Sequence, residues 1–213
     1  MAIPALESII DALNKSCGKY FTESTFVLTK KSFNRYVVSG NSCSKALNNY
    51  NNESQEVTVV KWFNDFWIYV DIKFRFKDKG ASTAFPDIFI SLSIFQGNPA
   101  DSKKNQLFRA EWDNYRNPDE HHPQPHWHVY PTQYDHQSFG DLLKTLKDDE
   151  DSFTALLDDT KSKFIDIKRI HFAMNGQWSS QGSHVHEINN EETIINWFYG
   201  VLGCIKAQLE YVS

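Results

Sequence analysis

The chain has 213 residues, and 16 Phe, 9 Tyr and 6 Trp give it enough apolar material for one substantial core. Its formal charge of −5 excludes broad electrostatic coating of nucleic acid and confines any RNA or DNA contact to a local patch. Cys17, Cys43 and Cys204 are odd in number and contain no CxxC, which excludes a disulfide framework and a thiolate zinc site and suits a reducing cytoplasm.

The opening residues MAIPALESIIDALNK have no basic segment ahead of an apolar run, and no stretch approaches the ~18 apolar residues of a membrane span. A cytoplasmic protein without membrane attachment is expected. Pro4 near a first-turn position, with Leu6, Ile9, Ile10 and Leu13 on one face, predicts a helix that Gly18 can end. TFVLT and RYVVS, joined by KKSFN within residues 25–39, predict a small hairpin. The polar stretch NSCSKALNNYNNESQE at 41–56 reads as a loop.

The clearest period of two runs over 66–77, where Phe66, Ile68, Val70, Ile72, Phe74 and Phe76 alternate with Trp67, Tyr69, Asp71, Lys73, Arg75 and Lys77. That pattern predicts a strand with one buried face. EVTVVKWF at 56–63, DIFISLSIFQ at 87–96, QLFRAEWD at 106–113 and HWHVY at 126–130 continue the habit, and an antiparallel meander follows. Helical patterns return at 138–147 and 151–163 around a strand at 164–174. A long C-terminal helix begins after Asn189 or Asn190, with Ile194, Ile195, Trp197, Phe198, Val201, Leu202, Ile205 and Leu209 on a wide apolar face. The expected fold is a single α+β domain over 1–213, a meander-like antiparallel sheet covered on one face by helices.

All eight histidines lie between 121 and 186, and the window RAEWDNYRNPDEHHPQPHWHVYP at 109–131 holds four of them. Alternation puts Arg109, Glu111 and Asp113 on one face of their strand and Phe108, Ala110 and Trp112 on the other. A solvated strand face carrying an ion pair is the plain account of those charges. The same period sets His126 and His128 on one face, and Pro123 and Pro125 make the approach to them extended and stiff. Glu111, Asp113, His126 and His128 are therefore the candidate catalytic groups for metal-free phosphodiester cleavage, with Arg109 and Arg116 steadying phosphate charge.

A second HxH, His184 and His186, precedes Glu187. The pairs match neither the cupin metal pattern nor the His-x-Thr/Ser pairs of phosphoesterases, so no metal or cofactor is expected. His171 is a further strand histidine, and Trp67, Tyr69 and Trp178 are candidate stacking surfaces for bases. The acidic run DDED at 148–151 lacks the spaced oxygens of a calcium loop.

The series Arg109, Asp113, Asn114, His121, His122, Pro123, Pro125, His126 and His128 resembles the TumE group of bacterial toxin–antitoxin proteins. In that group an arginine–aromatic–Asp-Asn strand leads through a His-Pro-rich segment to an H-x-H-like element. The likeness spans about residues 66–147 and implies a bacterial conflict-system setting. Two functional expectations follow. One is a noncatalytic interaction subunit, bound to a larger protein partner in a toxin-like or phage-defence complex. The other is a histidine-dependent, ribonuclease-like toxin enzyme.

Overall fold

A computed structural model describes residues 6–51, 53–75, 85–101, 104–113, 124–130, 188 and 190–213. Within them an opening helix α1 (Leu6–Cys17) leads through a 3-10 turn at Gly18–Tyr20 into eight strands and a second helix. The strands are β1 (Val27–Ser32), β2 (Arg35–Ser39), β3 (Cys43–Tyr50), β4 (Glu53–Phe63), β5 (Phe66–Arg75), β6 (Asp87–Gln96), β7 (Asn105–Asp113) and β8 (His126–Val129). Helix α2 spans Glu191–Val212. The class is α+β with an antiparallel sheet.

The path through the sheet is β1-β2-β5-β6-β7-β8, and the run from β5 to β8 is the expected meander. One edge of β5 serves two partners: β4 pairs at Phe66–Ile68 and β2 at Asp71–Lys73. Only the end of β4 joins β5, so most of the β3–β4 hairpin is free to leave the plane of the sheet.

Alternation sorts the central strands into two faces, and their register aligns like with like. Ile68, Val70 and Ile72 oppose Ile94, Leu92 and Ile90, which oppose Phe108, Ala110 and Trp112 in turn. These side chains are fully or almost fully buried. Buried residues of α1 and α2 belong to the same core, and Trp112 meets Trp197 of α2 with ring centroids 5.1 Å apart. Phe198 reaches Phe26 ahead of β1 at 6.2 Å.

Two expectations are corrected. The stretch 41–56 is a hairpin, turning at Asn51 with φ of 49°, a left-handed conformation that Asn tolerates well. Its polarity reflects the polar sheet face it meets. Strand β5 is also buried on both faces, with Trp67 1% and Tyr69 7% exposed, so neither ring offers a stacking surface. Trp67 instead donates its indole N–H to the Gly97 carbonyl at 2.8 Å. The predicted elements at 138–147, 151–163 and 164–174, together with Asn114, Arg116, His121, His122, Pro123, His171, Trp178, His184, His186 and Glu187, lie outside the described residues.

Candidate functional site

On the opposite face of the sheet the register assembles rows of polar side chains. Tyr69, Ser93, Arg109 and His128 make one row, and Asp71, Ser91, Glu111 and His126 the next. Side chains at directly opposed positions have Cβ atoms roughly 5 Å apart, so antiparallel pairing alone delivers both histidines to Arg109 and Glu111.

Arg109 is the base of the site and is only 2% exposed. Its Nε lies 2.8 Å from Glu111 Oε2, and its Nη1 donates to the Asn49 carbonyl at 2.7 Å and to Tyr130 Oη at 3.0 Å. Tyr130 donates in turn to Asn49 O at 2.9 Å, and the guanidinium sits over the Tyr50 ring, 4.7 Å from its centroid. The sequence pattern anticipates the ion pair but not its setting. This strand face is buried, not solvated, because the β3–β4 hairpin brings Asn49 and Tyr50 onto it.

Gln106 ties the same hairpin down. Its Oε1 accepts from Asn49 N at 2.7 Å, and its Nε2 donates to Asn48 Oδ1 at 3.1 Å. Burial raises the pKa values of Tyr50 and Tyr130 above the ordinary phenol range. Around Tyr50, Glu111 adds to the rise and Arg109 opposes it. Arg109 also opposes the rise at Tyr130. Both phenols are therefore held neutral, as hydrogen-bonding groups.

The two imidazoles stand above this base on β8. Their Nε2 atoms approach to 2.7 Å, with ring centroids 4.6 Å apart and planes at 70°. Such a contact requires one nitrogen to donate and the other to accept. Glu111 Oε2 is 3.7 Å from His128 Nε2, and ligating atoms of Glu111, His126 and His128 all lie within 4.8 Å of one another. The His128 side chain is 37% exposed while that of Glu111 is 9% exposed, so the group opens to solvent on its histidine side.

Of the predicted site residues, Arg109, Glu111, His126 and His128 converge. Asp113 stands two residues further along β7, where its N–H donates to Gln124 Oε1 at 2.8 Å. Arg116 lies outside the described residues. Asn49, Tyr50, Gln106 and Tyr130 join the site without having been singled out. Alternation along the last strand was a signal for Tyr130, whereas it assigns Gln106 to the apolar face with Phe108; the register shift at Ile94/Phe95 changes that, and nothing local marked the hairpin residues.

A second charged cluster lies on the same face. Arg35 makes a two-pronged contact with Asp71, Nε to Oδ1 at 2.9 Å and Nη2 to Oδ2 at 3.0 Å, and Lys73 approaches Asp71 at 3.3 Å. Two cations share one carboxylate here, so the cluster keeps a net positive charge. Among the described residues, no helix is long and apolar enough to cross a membrane. Comparison with protein-family models, curated proteins and solved structures finds no match to this chain.

Proposed function

We propose that the chain is a histidine-dependent, ribonuclease-like enzyme acting in a bacterial toxin-like or phage-defence setting. The observation that carries this reading is the convergence of His126, His128 and Glu111 on a buried arginine, open to solvent on the histidine side. Structural histidines need one satisfying partner each; here two imidazoles and a carboxylate crowd one point, a concentration of reactive groups that marks functional sites.

The gap of 2.7 Å between the two nitrogens is too narrow to admit a phosphate, so a phosphodiester cannot lie between an acid on one side and a base on the other. The two rings and Glu111 act instead as one unit, meeting the phosphate from its solvent side. Arg109 is a positioning residue: it holds Glu111 at Oε2 and is itself held by Asn49, Tyr50 and Tyr130. Opposed charges on Arg109 and Glu111 leave the base neutral, which an approaching phosphate tolerates better than a bare carboxylate.

The test is the double substitution His126→Ala, His128→Ala in the full chain, assayed on a mixed single-stranded RNA pool and by growth arrest on expression. Expected are an unfolding curve close to that of the parent and a loss of cleavage of about 100-fold or more, the scale of acid–base or metal-assisted catalysis. Unchanged cleavage overturns the enzyme reading. A noncatalytic subunit bound to a larger protein is the second reading, favoured by Phe33, 81% exposed at the β1–β2 turn, and Tyr211, 76% exposed near the end of α2.

A further inference from the structure

We infer that Glu111, His126 and His128 form a binding site for a divalent transition-metal ion. Two imidazoles and one carboxylate presented toward one side, with the remaining coordination positions open, are the donor set of catalytic zinc sites and of other open transition-metal centres. Here the three come from two adjacent strands, and a single register step places all of them.

Two of the three donor separations are within fractions of an ångström of a ligated site, and all three donors lie within 4.8 Å of one another. Two nitrogens each about 2.1 Å from one ion stand about 3.0–3.4 Å apart at angles between square and tetrahedral. The observed 2.7 Å between the Nε2 atoms is roughly 0.3–0.7 Å too short, and the 3.7 Å from His128 Nε2 to Glu111 Oε2 is too long by about the same amount. Opening the rings and drawing in the carboxylate by these small shifts brings both separations into the range of a ligated ion. His126 and His128 are half-buried, which leaves their χ angles room to adjust.

Glu111 can serve the ion and Arg109 together, since a carboxylate offers about four lone-pair sites. Arg109 Nε lies 2.8 Å from Oε2, the same oxygen that faces His128, and holding it there orients the carboxylate in the way outer partners of metal ligands do. The charge balance also selects the ion. With Glu111 offset by Arg109, the donor set is two imidazoles and a neutralised carboxylate. That suits an imidazole-preferring ion such as Zn2+ or its analogue Co2+ over Mg2+ or Ca2+, which take oxygen ligands. The role of the ion in phosphodiester cleavage, as a Lewis acid on the phosphate, rests on the function proposed above. Binding itself rests on the geometry alone.

The full chain, stripped with EDTA, is titrated by calorimetry with Zn2+ and separately with Mg2+, and Co2+ binding is followed by visible absorption. Expected are a Zn2+ site with a Co2+ d–d spectrum and at least about 100-fold weaker Mg2+ binding. Zn2+ affinity should fall by about 100-fold, and the Co2+ spectrum should disappear, in His126→Asn, His128→Asn. If that pair fails to fold, His128→Gln alone, at the more open ring, should lower the affinity by about 10-fold or more. Zn2+ affinity within about threefold of the parent in a folded variant overturns the site, as does Mg2+ binding as tight as Zn2+. RNA cleavage that persists in EDTA and still needs the histidines overturns the catalytic ion while the enzyme reading stands. Zn2+ bound at these residues without any cleavage supports the site and overturns the enzyme reading.

Discussion

At the residue scale, Arg109 is the most consequential side chain in the molecule. A guanidinium 2% exposed has surrendered its hydration, and it is retained only because Glu111, the Asn49 carbonyl, Tyr130 and the Tyr50 ring together replace the lost water. Removing it strands a buried carboxylate. Arg109→Met is therefore expected to lower the unfolding free energy by about 3–5 kcal/mol, the usual cost of breaking a buried pair from one side. Urea unfolding measures this directly, and a loss below about 1 kcal/mol would mean that Glu111 is solvated in solution. Alternation in the sequence placed Arg109, Glu111, His126 and His128 on matching faces. What it could not give was their depth, because burial of β7 depends on a hairpin some 60 positions away in the chain.

At the element scale, legibility followed how closely a segment's environment obeyed a single rule. β6 spans Asp87–Gln96, the range its pattern predicts, because Ser91 and Ser93 alternate with Ile90, Leu92 and Ile94 in a run of strand-forming residues. β3 and the first part of β4 were hidden by composition: Asn, Ser and Glu are poor strand formers, and the hairpin forms because the sheet's polar face supplies partners such as Gln106 for Asn48 and Asn49. Helix α2 was legible at its start. Asn190 accepts from Thr193 N at 2.8 Å, and Glu191 and Glu192 follow in the first turn, where the helix dipole favours acids. Asn190→Ala should cost about 1 kcal/mol, read as a lowered urea midpoint with the slope unchanged. An unchanged midpoint would show that the tertiary contacts of Phe198 and Trp197 alone define the helix start.

At the scale of the whole molecule, the two faces of the sheet have different neighbours among the described residues. Its apolar face shares a core with the helices, and its polar face is roofed in part by the β3–β4 hairpin. Over the site the roof is held by Tyr50, which stacks edge-on to Phe89 at 5.7 Å and lies under the Arg109 guanidinium, and by Asn49, which bonds to both Arg109 and Gln106, while Lys104 and Pro99 hold Ser44 further along β3. The hairpin and the base of the site thus share the contacts of Asn49 and Tyr50 with Arg109. A double-mutant cycle exposes that link. Tyr50→Leu keeps apolar bulk but removes the ring face, and Arg109→Met removes the cation. If the roof is closed in solution, the double variant should be less destabilised than the sum of the two single variants, with a coupling of about 0.5–3 kcal/mol by urea unfolding. A coupling near zero would mean the two side chains do not meet, the hairpin stands away from the sheet, and Glu111 and the histidines lose the rigid base on which both their proposed chemistry and their ion-binding geometry depend.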